Sequence, residues 1–154
     1  MTSPAVNPLD EEIGRLKEFV SLLQREQDLL KKGDTEALLP LIDTKTQLAD
    51  RLAALARARE AHLARQGFPA GRPGMEDWLQ RHGNAAQRQS WQALLELARE
   101  ARDLNELNGR LIGLHMQHNQ QAFTALMNAT NRAMTYGPDG QQQAGLGGRI
   151  LGTA

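Results

Sequence analysis

A chain of 154 residues holds material for one domain and is long enough to bury a core if its elements pack side by side. Eighteen basic side chains balance eighteen acidic ones, so no global field draws the protein to nucleic acid or to an anionic membrane. Cysteine is absent, which excludes disulfides, thiolate metal sites and cysteine nucleophiles, and the abundance of Leu, Ala, Gln, Glu and Arg over aromatic and β-branched residues is the composition of long helices.

The opening stretch MTSPAVNPLDEEIGRL has no basic region leading into an apolar one, and no stretch approaches a membrane span. A cytosolic protein without direct membrane insertion is expected. Leu9, Ile13, Leu16, Val20, Leu23 and Leu30, with Gln27 as the polar member, recur at steps of three and four and predict a first helix over about residues 9–32. Asp10, Glu11 and Glu12 suit its positive end, Lys31 and Lys32 its negative end, and Gly33 stops it. Asp34 is placed to cap a second helix over about 35–66, which carries Leu38, Leu41, Leu48, Leu52 and Leu55. Pro40 has no amide proton and is expected to kink the start of that helix or to split off an opening turn.

GFPAGRPG at residues 67–74 breaks the pattern, and Met75 to His82 form a short amphipathic piece closed by Gly83. From Asn84 to about Met134 there is no proline. The seam Trp91, Leu94, Leu97, Ala101, Leu104, Asn108, Leu111, His115, His118, Ala122, Ala125, Ala129 predicts one very long helix over about 84–134. Residues 135–154, rich in Gly and Gln, are expected to form a flexible tail. No segment repeats at the spacing of a solenoid.

The fold class is therefore all-α: an antiparallel up-down bundle of three long helices plus a short helical segment, with a bundle domain at 1–134 and a flexible C-terminal tail. At about 1.5 Å per residue the helices span roughly 36, 48 and 75 Å, so the last one overhangs its partners. Folding back near residues 66 and 84 sets Asn105 opposite Lys45, and residues beyond about 119 project past the bundle.

Several residues break the helical pattern. Lys45 and Asn108 interrupt apolar seams, and two readings stand: a structural polar layer of Lys45 with Asn105 or Asn108 that sets register, or a lysine whose ammonium reaches out to solvent. Gly109 and Gly113 each cost roughly 1 kcal/mol relative to Ala in a helix. Close helix packing against the first or second helix is the favoured account, ahead of a flexing point or recognition by a partner. His115 and His118 lie one turn apart, but no Asp, Glu or Cys occurs between Arg110 and Thr135 to complete a zinc site, so no metal and no cofactor are expected. Neither a Ser-His-Asp pattern nor a phosphate loop is present, and nothing supports catalysis. Phe123, Leu126, Met127 and Met134 on the projecting end form either a binding surface or a patch that the tail covers through Leu146, Ile150 and Leu151.

RDLNELNGRLI at 102–112, HNQQA at 118–122 and TYGPDG at 135–140 resemble the C-terminal half of the FlgN-type flagellar export chaperones, in the order LNxxNG, NQQA, YGxDG. Residues 91–143 carry this resemblance; the N-terminal half is similar in helical layout and in a lysine within helix two. It implies a cytosolic helical bundle without enzymatic activity that binds the C-terminal regions of the hook-filament junction proteins FlgK and FlgL and hands them to flagellar export gate components. The client-binding residues would be Phe123, Leu126, Met127, Met134, Leu146, Ile150 and Leu151. Tyr136, Gly137, Asp139 and Gly140 of the YGxDG motif would dock the export gate, although YGPDG is also a turn by its own chemistry. The tail GLGGRILGTA departs from the pattern in being glycine-rich and short of basic residues. The expected state is a monomer or weak homodimer. The competing classes are a structural homo-oligomer or adaptor built from paired overhangs, and a metal-dependent bundle enzyme resting on the two histidines.

Overall fold

Three strict heptad runs organise the described residues, 8–116 and 120–138, of the computed structural model. In α1 (Pro8–Lys32) the buried series is Leu9, Glu12, Leu16, Phe19, Leu23, Glu26 and Leu30, flanked by buried Val20 and Leu22. In α2 (Thr35–Arg65) the series Leu38, Lys45, Leu52, Arg59 repeats every seven residues. In α4 (Ala85–His115) the buried series is Trp91, Leu94, Ala101, Asn105, Asn108 and Ile112. A 3-4 alternation keeps one narrow stripe turned toward a neighbouring helix, which is how long helices pack at shallow crossing angles. α3 (Gly71–His82) and α5 (Gln120–Met134) complete the described elements, none of which is a strand.

Local chemistry sets most of the boundaries. Gly33, at φ 68°, ends α1 in a Schellman turn: its amide donates to the Leu30 carbonyl and the Asp34 amide to that of Leu29. Asp34 then caps α2 by accepting from the Ala37 amide at 3.1 Å. Asn84 and Gln87 form a reciprocal capping box at the start of α4. Pro40 lies inside α2, which runs unbroken from Thr35, so no opening turn is split off. α3 begins at Gly71, four residues before the expected start, and a Cβ on Gly74 would overlap the Pro69 carbonyl.

Side-chain bonds define the helix directions. Glu26 to Lys45 and Glu12 to Arg59 make α2 antiparallel to α1. Asn108 reaches the Leu23 carbonyl and His115 that of Leu30, so α4 runs parallel to α1. The single rod expected over 84–134 does not form. α4 ends at His115, and α5 runs back antiparallel to it, with Asn105 bonded to Thr130 and His115 stacked on Phe123. α1 and α5 thus both pack against α2 and α4, giving a four-membered bundle whose fourth helix is short. Fold-back buries Phe123, Leu126, Met127 and Ala129, which an overhang leaves in water. At about 1.5–3 kcal/mol for each large apolar side chain, that gain exceeds the cost of interrupting one helix.

Candidate functional site

Two buried ionic layers cross the bundle two heptads apart, and both hold the segment that carries most of the predicted binding residues. In the upper layer the Lys45 ammonium donates to both carboxylate oxygens of Glu26, at 2.9 and 3.1 Å, and to the Thr130 hydroxyl at 2.5 Å. Asn108 donates from Nδ2 to Glu26 at 2.9 Å and to the Leu23 carbonyl at 2.8 Å, while Asn105 donates to the Thr130 carbonyl at 3.0 Å. Lys45 and Glu26 are wholly shielded from solvent. Burial holds the Lys45 pKa below its usual value, against the pull of the Glu26 charge and hydrogen bond. The ammonium does not reach out to solvent. Lys45, Asn105 and Asn108 occupy one level of the bundle, linked through Glu26 and Thr130.

The lower layer joins Glu12, Arg59 and Tyr136. Arg59 makes a two-point contact with Glu12 at 3.0 and 3.1 Å and lies 5.3 Å from the Trp91 ring centroid. Burial alone would lower the Arg59 pKa, but its hydrogen bond and charge contact with Glu12 raise it. The Tyr136 hydroxyl donates to Glu12 at 2.7 Å. Burial first, then the Glu12 carboxylate, pushes the Tyr136 pKa well above 10.0. The side chain assigned by resemblance to gate docking is therefore directed into the bundle, while Gly137 lines a small cleft with Arg72, Leu95, Arg99 and Pro138.

Above the ionic layers the seat of α5 is apolar. Phe123, Leu126 and Met127 pack with Leu30, Leu38 and Ile112 in a second core cluster, at 3%, 1% and 6% exposure. They are core residues, not an exposed tip; Met134 is only partly buried. Gly109 and Gly113 face α5, not α1 or α2: a Cβ on Gly109 would lie 3.5 Å from Thr130 Cγ2, and one on Gly113 4.0 Å from Met127 Cε. Leu146, Ile150, Leu151, Asp139, Gly140 and His118 lie outside the described residues.

Glu12, Glu26, Arg59 and Thr130 are missing from the sequence-based site. Leu9, Leu16, Leu23 and Leu30 fall seven apart, and the companion positions in the structure are 12, 19 and 26, which brings in both glutamates; the seam read from the sequence took 13, 20 and 27 with the same leucines. Among the described residues, the large apolar side chains left most exposed are Leu39, Leu107 and Leu114, at 49%, 42% and 65%. An apolar cleft of about 220 Å³ opens between Leu9, Leu55, Met75 and Trp78. Among the described residues no cluster of three or more His, Asp or Glu is placed to hold a metal ion, and no helix is long and apolar enough to cross a membrane.

The model of the FlgN protein family matches residues 4–144. The chain belongs to the FlgN family. Two flagella synthesis proteins FlgN, one from Yersinia enterocolitica serotype O:8 / biotype 1B and one from Yersinia enterocolitica, are each 30% identical over 150 residues, covering 94% of this chain and 93% of the relative. A crystal structure of a putative flagella synthesis protein FlgN from Pseudomonas aeruginosa shares the fold, with a TM-score of 0.66 at 20% identity over 86% of this chain and 99% of that one. The FlgN-family match takes in all five described helices, including the α5 seat and the Tyr136 segment.

Proposed function

We propose that this FlgN-family chain is a cytosolic export chaperone that binds and masks the C-terminal ends of the hook-filament junction proteins FlgK and FlgL and delivers them to the flagellar export gate. The observation that carries this reading is the family match over nearly the whole chain. No reaction is involved: the chaperone acts by covering apolar helix stripes that its clients expose before assembly. Gate docking falls to Tyr136, Gly137, Asp139 and Gly140, and client contact to α5 with the segment that follows it. Because Phe123, Leu126 and Met127 are packed inside the free chain and the Tyr136 hydroxyl is bonded to Glu12, both roles require α5 and its extension to leave their seat.

The test is co-purification. Mixed with the C-terminal segment of FlgK or of FlgL, the chain is expected to give a soluble one-to-one complex by light scattering. Failure to associate with either segment, both partners being folded, overturns the proposal.

A further inference from the structure

We propose that the groove between α2 and α4, filled by α5 in the free chain, is the seat for an amphipathic helix of the client, and that α5 is its internal stand-in. This rests on the client-binding reading above and names the surface that performs it. The seat is chemically selective. Its upper part, built from Leu30, Leu38 and Ile112, accepts an aromatic side chain and two aliphatic ones, the places of Phe123, Leu126 and Met127. One turn further on, the Lys45 ammonium and the Asn105 amide take the hydroxyl and carbonyl of a single residue, Thr130. Gly109 and Gly113 keep the α4 wall free of side chains, so an incoming backbone approaches closely.

A second observation shows that α5 fits this seat incompletely. The Oδ1 atom of Asn105, whose Nδ2 already bonds α5, is 2% exposed as a residue and has no hydrogen-bond partner among the described residues. Buried amide oxygens left unpaired weaken the hold of whatever fills the groove. An occupant carrying a side-chain N–H donor at that level binds better than α5 does. The partner the groove fits is thus a helix with an aromatic residue at i, Leu or Met at i+3 and i+4 and Ser or Thr at i+7, as in α5, and with a side-chain N–H that reaches Asn105 Oδ1, which Asn128 and Asn131 of α5 leave unpaired. Displacing α5 also draws Tyr136 from Glu12, so the loaded chain displays its tyrosine and the empty chain conceals it.

The native chain has no cysteine, so an engineered pair reports on one contact alone. Gly109→Cys with Thr130→Cys joins positions already in van der Waals contact, within the reach of a disulfide. The same double variant, oxidised and then reduced, is titrated with the C-terminal segment of FlgK and of FlgL. The oxidised form is expected to bind at least about tenfold more weakly than the reduced form. Equal and wild-type-like affinity of the two forms overturns the proposal; where the Gly109→Cys side chain itself blocks binding in the reduced form, hydrogen exchange on the wild-type chain decides. Hydrogen exchange on the wild-type chain supplies a readout free of substitutions: in the complex, amides of residues 120–134 lose protection while those of α2 and α4 keep it. Retained protection across α5 also overturns the assignment. If the wild-type chain binds neither segment, the client reading has failed and the groove assignment falls with it, an outcome distinct from a complex that forms with α5 in place.

Discussion

Replacing Lys45 by Met tests whether the upper ionic layer is a coupled unit. The ammonium supplies two hydrogen bonds to Glu26 and one to Thr130, and both charged groups are shielded from water. Met has the length and flexibility to fill the vacated channel, so the cavity term is small. What remains is a buried Glu26 carboxylate held only by Asn108, and an uncompensated buried charge of this kind costs about 3–5 kcal/mol. For a domain of this size that corresponds to a fall in Tm of roughly 6–20 °C. Glu26→Gln added to Lys45→Met removes the charge and should recover most of the loss, because an ion pair replaced by neutral groups of similar shape is often close to neutral. Urea unfolding followed by far-UV circular dichroism measures all three proteins. A loss below about 1 kcal/mol in the single variant, the size of an exposed ion pair, refutes the reasoning. So does a double variant no more stable than Lys45→Met alone.

Gly113→Ala places a methyl group 4.0 Å from Met127 Cε, an ordinary contact, and removes a helix glycine; it should stabilise the chain by about 0.5–1 kcal/mol in the same unfolding assay. Leu126→Ala should cost about 2–5 kcal/mol as a core truncation, whereas a residue on an exposed overhang would lose almost nothing. Tyr136→Phe should cost about 1.5–3 kcal/mol at neutral pH through the lost charged hydrogen bond to Glu12. Its alkaline behaviour has a definite sign: the folded pKa of Tyr136 lies well above 10.0, so above pH 10.0 the unfolded chain releases the phenolic proton while the folded chain keeps it, and wild-type stability falls as pH rises. Lys45 acts oppositely, since its lowered pKa makes the unfolded chain bind more protons until pH passes 10.5. Comparing Tyr136→Phe with wild type across that range isolates the tyrosine contribution, which should vanish in the variant.

Helix content, five of the six long-helix ends and the caps at Gly33, Asp34 and Asn84 follow from short-range chemistry, because amide satisfaction and φ > 0 tolerance are properties of a few consecutive residues. The level shared by Lys45 and Asn105 was also legible, since rise per residue and one turn position are enough to estimate it. Glu12, Glu26 and Arg59 were harder to place: a shift of one residue in the companion positions turns a buried carboxylate into a solvated one, and the heptad of leucines at 9, 16, 23 and 30 is common to both readings. The reversal after His115 was not marked by a proline or glycine between Met116 and Asn119, and the glycines at 109 and 113 gave a flexing point only as a second account. It arises because Phe123, Leu126 and Met127 find an apolar seat on α2 and α4, and the Thr130 hydroxyl finds Lys45, at distances in the chain that no local pattern encodes. The sequence by itself determined an all-helical chain, its first two helices and its family. Tertiary structure alone decided that the last helix is two, that its greasy face is covered, and that Tyr136 points inward, because burial of nonlocal surface outweighs local helix propensity.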